Sequence, residues 1–242
     1  MPKATTAARI AKTAPPACFT GFADRDARFF TKLARNQSRD WFAANRDEYE
    51  EGWLAPMKAL LAAVREKLAP RYAHEEIAPP KVFRIYRDVR FSKDKSPYKT
   101  HVGGYLGIAG SGAGPSGAAA LYFHVGAGEL FACAGQYVMD GEQLKRFRAA
   151  VDDAKRGPEL AKLVAALGRA GFTIDSYERT QRVPRGFDPE HPRAELLRRK
   201  GLIVMFPAPA RALLTSPKLV DALVAHAKKA VPLVEWLAAV TG

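Results

Sequence analysis

The hydrophobic period of this chain changes at Pro79-Pro80, and that change restricts the fold more than any other feature. Before it, apolar residues recur at helical spacing. Phe29, Phe30 and Leu33 form one such set. Trp41, Phe42 and Tyr49 form a second behind Ser38, a residue type that caps helix N-termini. Leu54, Met57, Leu61, Val64 and Leu68 form a third, stopped at Pro70. After Pro80 the period falls to two. Strands are expected over residues 82–91, 102–108, 121–125 and 130–134, the last two joined as a hairpin through Gly126-Ala127-Gly128. Helices then return. Asp140 and Gln143 have capping-box spacing, short strands are expected over 172–177 and 202–206, and Ser216-Pro217 opens a last helix that Pro232 should kink or restart. Helices, then strands, then helices predict an α+β fold: a largely antiparallel mixed sheet packed with N-terminal and C-terminal helices. A doubly wound parallel sheet would alternate the two element types instead.

The 242 residues, 48% of them apolar, suffice for one substantial core. We expect a basic, acid-poor tail over 1–18, without fixed structure, and a single α+β domain over 19–242. No apolar run approaches the ~20 residues that span a bilayer, so no membrane partner is expected. Cys18 and Cys133 make neither a disulfide framework nor a zinc spacing. A reducing cytoplasmic location fits this usage, and no metal site is expected. The formal net charge of +13 favours anionic partners, from phosphorylated metabolites to nucleic acid.

That charge is densest over 84–101. Strand alternation would put Phe83, Ile85, Val89 and Phe91 on one face with Arg87, and Arg84, Tyr86, Asp88 and Arg90 on the other. Arg87 then needs a carboxylate, because an uncompensated buried charge costs several kcal/mol, on the order of 3–5. Asp40, Asp47 and Glu48 are the candidates. The polar side offers Arg84 and Arg90, then Lys95, Tyr98, Lys99 and His101, with Ser96-Pro97 as a turn that folds the later residues back on the earlier ones. Guanidinium forks and ammonium groups at this density suit an oxyanion. Three readings are open: a concave anion site, an edge strand protected by its charges, and a structural salt-bridge network.

The run Arg84-x-x-Arg87-Asp88-x-Arg90-Phe91, leading to Asp94-Lys95-x-Pro97-Tyr98-Lys99, resembles the signature of a bacterial and fungal family, domain of unknown function 2461. Trp41-Phe42 with Asn45, Tyr122-Phe123-His124, and Pro184-Arg185-Gly186-Phe187-Asp188 with His191-Pro192 resemble it as well. The likeness runs from Phe19 to the last helix and departs in the tail and in the Gly-rich insert 109–119. It implies no activity, cofactor or substrate.

Other constellations are weaker. The Gly-rich insert lacks the Gly-Lys-Ser/Thr of a phosphate loop and does not open a helix, so no cofactor is indicated. His101-Val-Gly and His124-Val-Gly form a pair on neighbouring strands that could supply an acid and a base. Two-histidine phosphoesterases carry Thr or Ser where these have Gly. Asp188, Glu190 and His191, close to Arg182 and Arg185, read as rigid turns or as a second wall of an anion site. The leading expectation is a small phosphate-bearing anion held by Arg84, Arg87, Arg90, Lys95, Tyr98, Lys99, His101, His124 and Arg185. An enzyme using His101 or His124, and a nucleic-acid or protein-partner module, are the alternatives.

Overall fold

The computed structural model describes residues 18–112 and 114–242. Apart from Cys18, the expected tail lies outside the described residues. Helix α1 (Arg28–Arg35) buries Phe29, Phe30 and Leu33. Ser38 caps α2 (Arg39–Ala44), its hydroxyl accepting the Trp41 N–H at 3.1 Å. Helix α3 (Arg46–Tyr49) passes through a π-helical turn, Glu50–Leu54, into α4 (Ala55–Leu68). The strands β1 (Lys81–Val82), β2 (His101–Gly107), β3 (Ala118–Gly126) and β4 (Leu130–Gln136) follow. Then come α5 (Gly141–Asp152), α6 (Arg156–Arg169), β5 (Thr173–Asp175), α7 (Ala194–Leu197), β6 (Leu202–Met205) and α8 (Lys218–Thr241). The capping box of α5 is complete: Gln143 N–H donates to Asp140 at 2.9 Å, and Asp140 N–H to the Gln143 side chain at 3.1 Å. Helix α8 does not restart at Pro232.

The strands form one sheet in the order β1-β2-β3-β4-β6-β5, and every pairing is antiparallel. The fold is α+β, as the change of period predicts. Helix α4 packs on β2, and α8 packs on β3 and β4. Alternation decides which side chains face them. Leu121, Phe123 and Val125 are fully buried, and a Cβ on Gly104 would meet Leu61 of α4 at 2.6 Å. His101, Gly103 and Tyr105 on β2, with Tyr122 and His124 on β3, therefore look out of the opposite face.

The expected strand over 82–91 is not formed; only Lys81–Val82 pairs with β2. Phe83 N–H still reaches Gly103 O, but beyond it the chain pairs with its own later residues. Arg87 N–H donates to Pro97 O at 2.9 Å, Lys99 N–H donates to Ile85 O at 2.8 Å, and Tyr86 and Tyr98 form an isolated bridge. The fold-back at Ser96-Pro97 is present, and it closes 88–96 as a loop. Two aspartates explain why the ladder stops. Asp88 accepts the Arg90 N–H, and Asp94 accepts the Ser96 N–H at 2.9 Å. Such local bonds compete with sheet pairing. The expected apolar face fails with the strand: Ile85 is buried, but Phe91 is 96% exposed.

Candidate functional site

The basic motif divides into paired and unpaired cations. Arg87 is ion-paired with Asp94, seven residues on, and not with Asp40, Asp47 or Glu48. Loop closure brings Asp94 back to the base of the loop, whereas Glu48 pairs with Lys32 at 3.6 Å. Arg90 forks onto Asp88 at 3.0 and 2.7 Å, and Lys95 Nζ donates to Val89 O at 2.9 Å. These three hold the loop together. Tyr98 is buried, its ring stacked on Phe42 at 4.4 Å and its N–H donating to Gln37. Among the described residues no carboxylate ion-pairs with Arg84 or Lys99. Lys99 Nζ sits 5.3 Å from the Phe83 ring, a cation–π contact. Burial, and then the charge of Arg84, pull its pKa below the ordinary lysine value.

Two hollows meet at the His101 end of this motif, while Arg84, Ile85 and Tyr86 line a third, of about 1120 Å³, together with Arg46 and Lys58. A polar cleft of about 610 Å³ is lined by Arg87, Asp88, Asp94, Tyr98, Lys99 and His101, among others. A second hollow of about 380 Å³ lies on the face of the sheet opposite α4 and α8, where Phe83, Tyr105, Tyr122 and Phe131 supply aromatic walls around His101 and His124. His101 lines both.

The register of β2 and β3 explains how the histidines meet. His101 lies opposite Gly126, and Gly103 opposite His124. Each His-Val-Gly thus places its glycine across from the other's histidine. A Cβ on Gly126 would strike His101 Cβ and Thr100 O, both at 2.7 Å, and one on Gly103 would strike the Tyr122 hydroxyl at 2.9 Å. The glycines clear the space in which the imidazoles approach, with ring centres 4.1 Å apart. The glycine that argues against a phosphoesterase motif in the sequence thus has a role of its own here.

His124 is held on three sides. Its ring stacks on Phe131 at 4.5 Å, its Nδ1 lies 3.0 Å from the Tyr122 hydroxyl, and its Nε2 lies 2.9 Å from a Glu129 oxygen. Glu129 sits in the β3–β4 turn, closed by Gly126 N–H to Glu129 O at 2.9 Å. Burial, then His124 and Lys99, push the His101 pKa down to about 4 against the pull of Glu129. Burial also lowers that of His124, outweighing Glu129. Both rings are therefore neutral at neutral pH. Cys133, on the cavity floor, is pushed up to about 12 by burial and stays a thiol.

Other expected residues lie elsewhere. Arg185 is exposed in the loop before α7 and is not among the residues lining either hollow. The trio beside it is built as turns: Asp188 accepts the Glu190 N–H at 2.9 Å, and His191 lies 3.3 Å from Asp152. Sequence reasoning omits Glu129 and the aromatic walls. An acid in a hairpin turn looks like ordinary surface, and only the repeated His-Val-Gly hints at the cluster it joins.

A family model described as "Conserved hypothetical protein (DUF2461)" matches residues 26–236. No curated protein and no solved structure matches the chain.

Proposed function

The chain belongs to the DUF2461 family, and we propose that this member binds a small phosphate-bearing ligand with a planar or apolar body. One observation carries the reading: His101 walls both hollows, with the unpaired cation Lys99 beside it on the polar side and aromatic rings on the other. Lys99 supplies the charge. His101, being neutral, supplies a directional hydrogen bond. Phe83, Tyr105 and Tyr122 supply faces for the body of the ligand. Arg87, Arg90 and Lys95 are spent on the loop and keep its shape.

Phenyl phosphate is the simplest probe of this chemistry. In calorimetric titration of the full chain it should bind more tightly than inorganic phosphate or phenol. Lys99→Ala should weaken it about tenfold or more, the ~1.4 kcal/mol expected of one charged contact. Equal binding by wild type and Lys99→Ala would contradict the assignment.

A second reading makes the protein an enzyme on such a ligand, with His101 or His124 as acid or base. It is favoured by the 4.1 Å approach of the two rings and by the Tyr122–His124–Glu129 chain, which fixes one imidazole while leaving the other beside the ligand space. Release of phenol from phenyl phosphate, lost in His101→Asn, would support it. No release at any protein concentration would leave binding alone.

A further inference from the structure

We propose that His101, His124 and Glu129 form a binding site for one divalent transition-metal ion of the Zn²⁺ type. Their ligating atoms, two imidazole nitrogens and a carboxylate oxygen, lie within 4.8 Å of one another. Two imidazoles and one carboxylate are a donor set that suits Zn²⁺ and its first-row neighbours, not Mg²⁺ or Ca²⁺, which prefer oxygen.

Three features of the geometry suit a shared ion. His124 Nε2 and the Glu129 oxygen are 2.9 Å apart. With bonds of about 2.1 Å to each, a tetrahedral ion needs that separation to open to ~3.4 Å, a shift the exposed Glu129 carboxylate can make. Next, the far nitrogen of His124 already has a partner in the Tyr122 hydroxyl at 3.0 Å, and Phe131 stacks on the ring. An orienting hydrogen bond on the distal nitrogen is the usual support of a ligating histidine. Finally, the reciprocal glycines Gly103 and Gly126 leave the rings 4.1 Å apart with no side chain between the strands to separate them.

Two ligands come from the rigid strands β2 and β3, and the third comes from the turn after β3. His124 is buried, His101 is partly so, and the Glu129 side chain is 64% exposed. The carboxylate can therefore swing in to complete the site. Three protein ligands leave a coordination position open. It would face the aromatic cavity, which both histidines line. The proposal stands apart from the phosphate reading, since it requires neither Lys99 nor an anionic ligand.

The test uses the tag-free full chain, stripped with a chelator, dialysed and titrated with Zn²⁺. Wild type should take up one ion per chain. Glu129→Gln and His101→Asn should each weaken uptake tenfold or more, while Arg84→Ala leaves it unchanged. Co²⁺ in place of Zn²⁺ should give visible absorption bands in wild type that both ligand variants lack. Circular dichroism of the metal-free variants, matching wild type, separates lost ligation from lost fold. No uptake by wild type, or uptake by either ligand variant equal to wild type, would overturn the site.

Discussion

Individual side chains carry most of the consequences. His101 is neutral in the folded protein because burial, His124 and Lys99 depress its pKa to about 4, while the unfolded chain titrates near the ordinary 6.5. Between these values the unfolded state binds more protons, so stability falls as pH drops from 6.5 towards 4. The upper bound is about 1.4 kcal/mol per pH unit. Urea midpoints across that window should show this slope, and His101→Asn should reduce it to the part that His124 contributes. An unchanged slope would mean that His101 titrates normally. Gly126 makes a steric prediction. Its added Cβ would meet backbone, which cannot swing aside, so Gly126→Ala should destabilise by about 1–3 kcal/mol. Gly103→Ala meets only a tyrosine hydroxyl and should cost less. Arg199 is buried, and its Nε and Nη1 have no hydrogen-bond partner. The isolated bridge between Arg179 and Arg199 draws the residue inward. Arg199→Met should leave thermal stability equal or raised, since an unpaired buried charge is replaced by an apolar chain of similar reach.

Elements show where sequence reading succeeds and where it stops. The Ser38 cap, the Asp140–Gln143 box and the β3–β4 hairpin are legible because each is a local pattern whose partners lie within a few residues. The strand expected over 82–91 fails although its alternation is real. Nothing in the period reveals that Asp88 and Asp94 will bond their own backbone neighbours and end the ladder after Val82. The same alternation suggests a distant carboxylate for Arg87, whereas the loop returns Asp94 to it. The pairing of Arg87 with Asp94 is exposed on the acid side, and such pairs contribute little. Asp94→Ala should therefore cost below about 1 kcal/mol in global stability. Its effect should appear instead as faster amide exchange or proteolysis within 88–96. Unaltered loop protection would show that the ion pair does not hold the loop.

At the scale of the molecule, α4 and α8 pack on one face of the sheet, and a cavity opens on the other. The α+β class was readable from element order alone. The cavity was not, because it depends on the β2–β3 register, which pairs His101 with Gly126 and Gly103 with His124 across the Gly-rich insert. That register makes neighbours of His101 and His124, and the turn after β3 adds Glu129. The 84–101 motif supplies the polar wall through the fold-back of Lys99 onto Ile85. No helix among the described residues is long and apolar enough to cross a membrane. We propose that the polar cleft and the aromatic cavity form one ligand site joined at His101. Proton NMR of the imidazole resonances during titration with phenyl phosphate tests it directly, with His101→Asn identifying the relevant signal. The His101 and His124 resonances should shift together and saturate with the calorimetric curve, while His74, His191 and His226 stay still. Saturation of binding with both site resonances unmoved would contradict it.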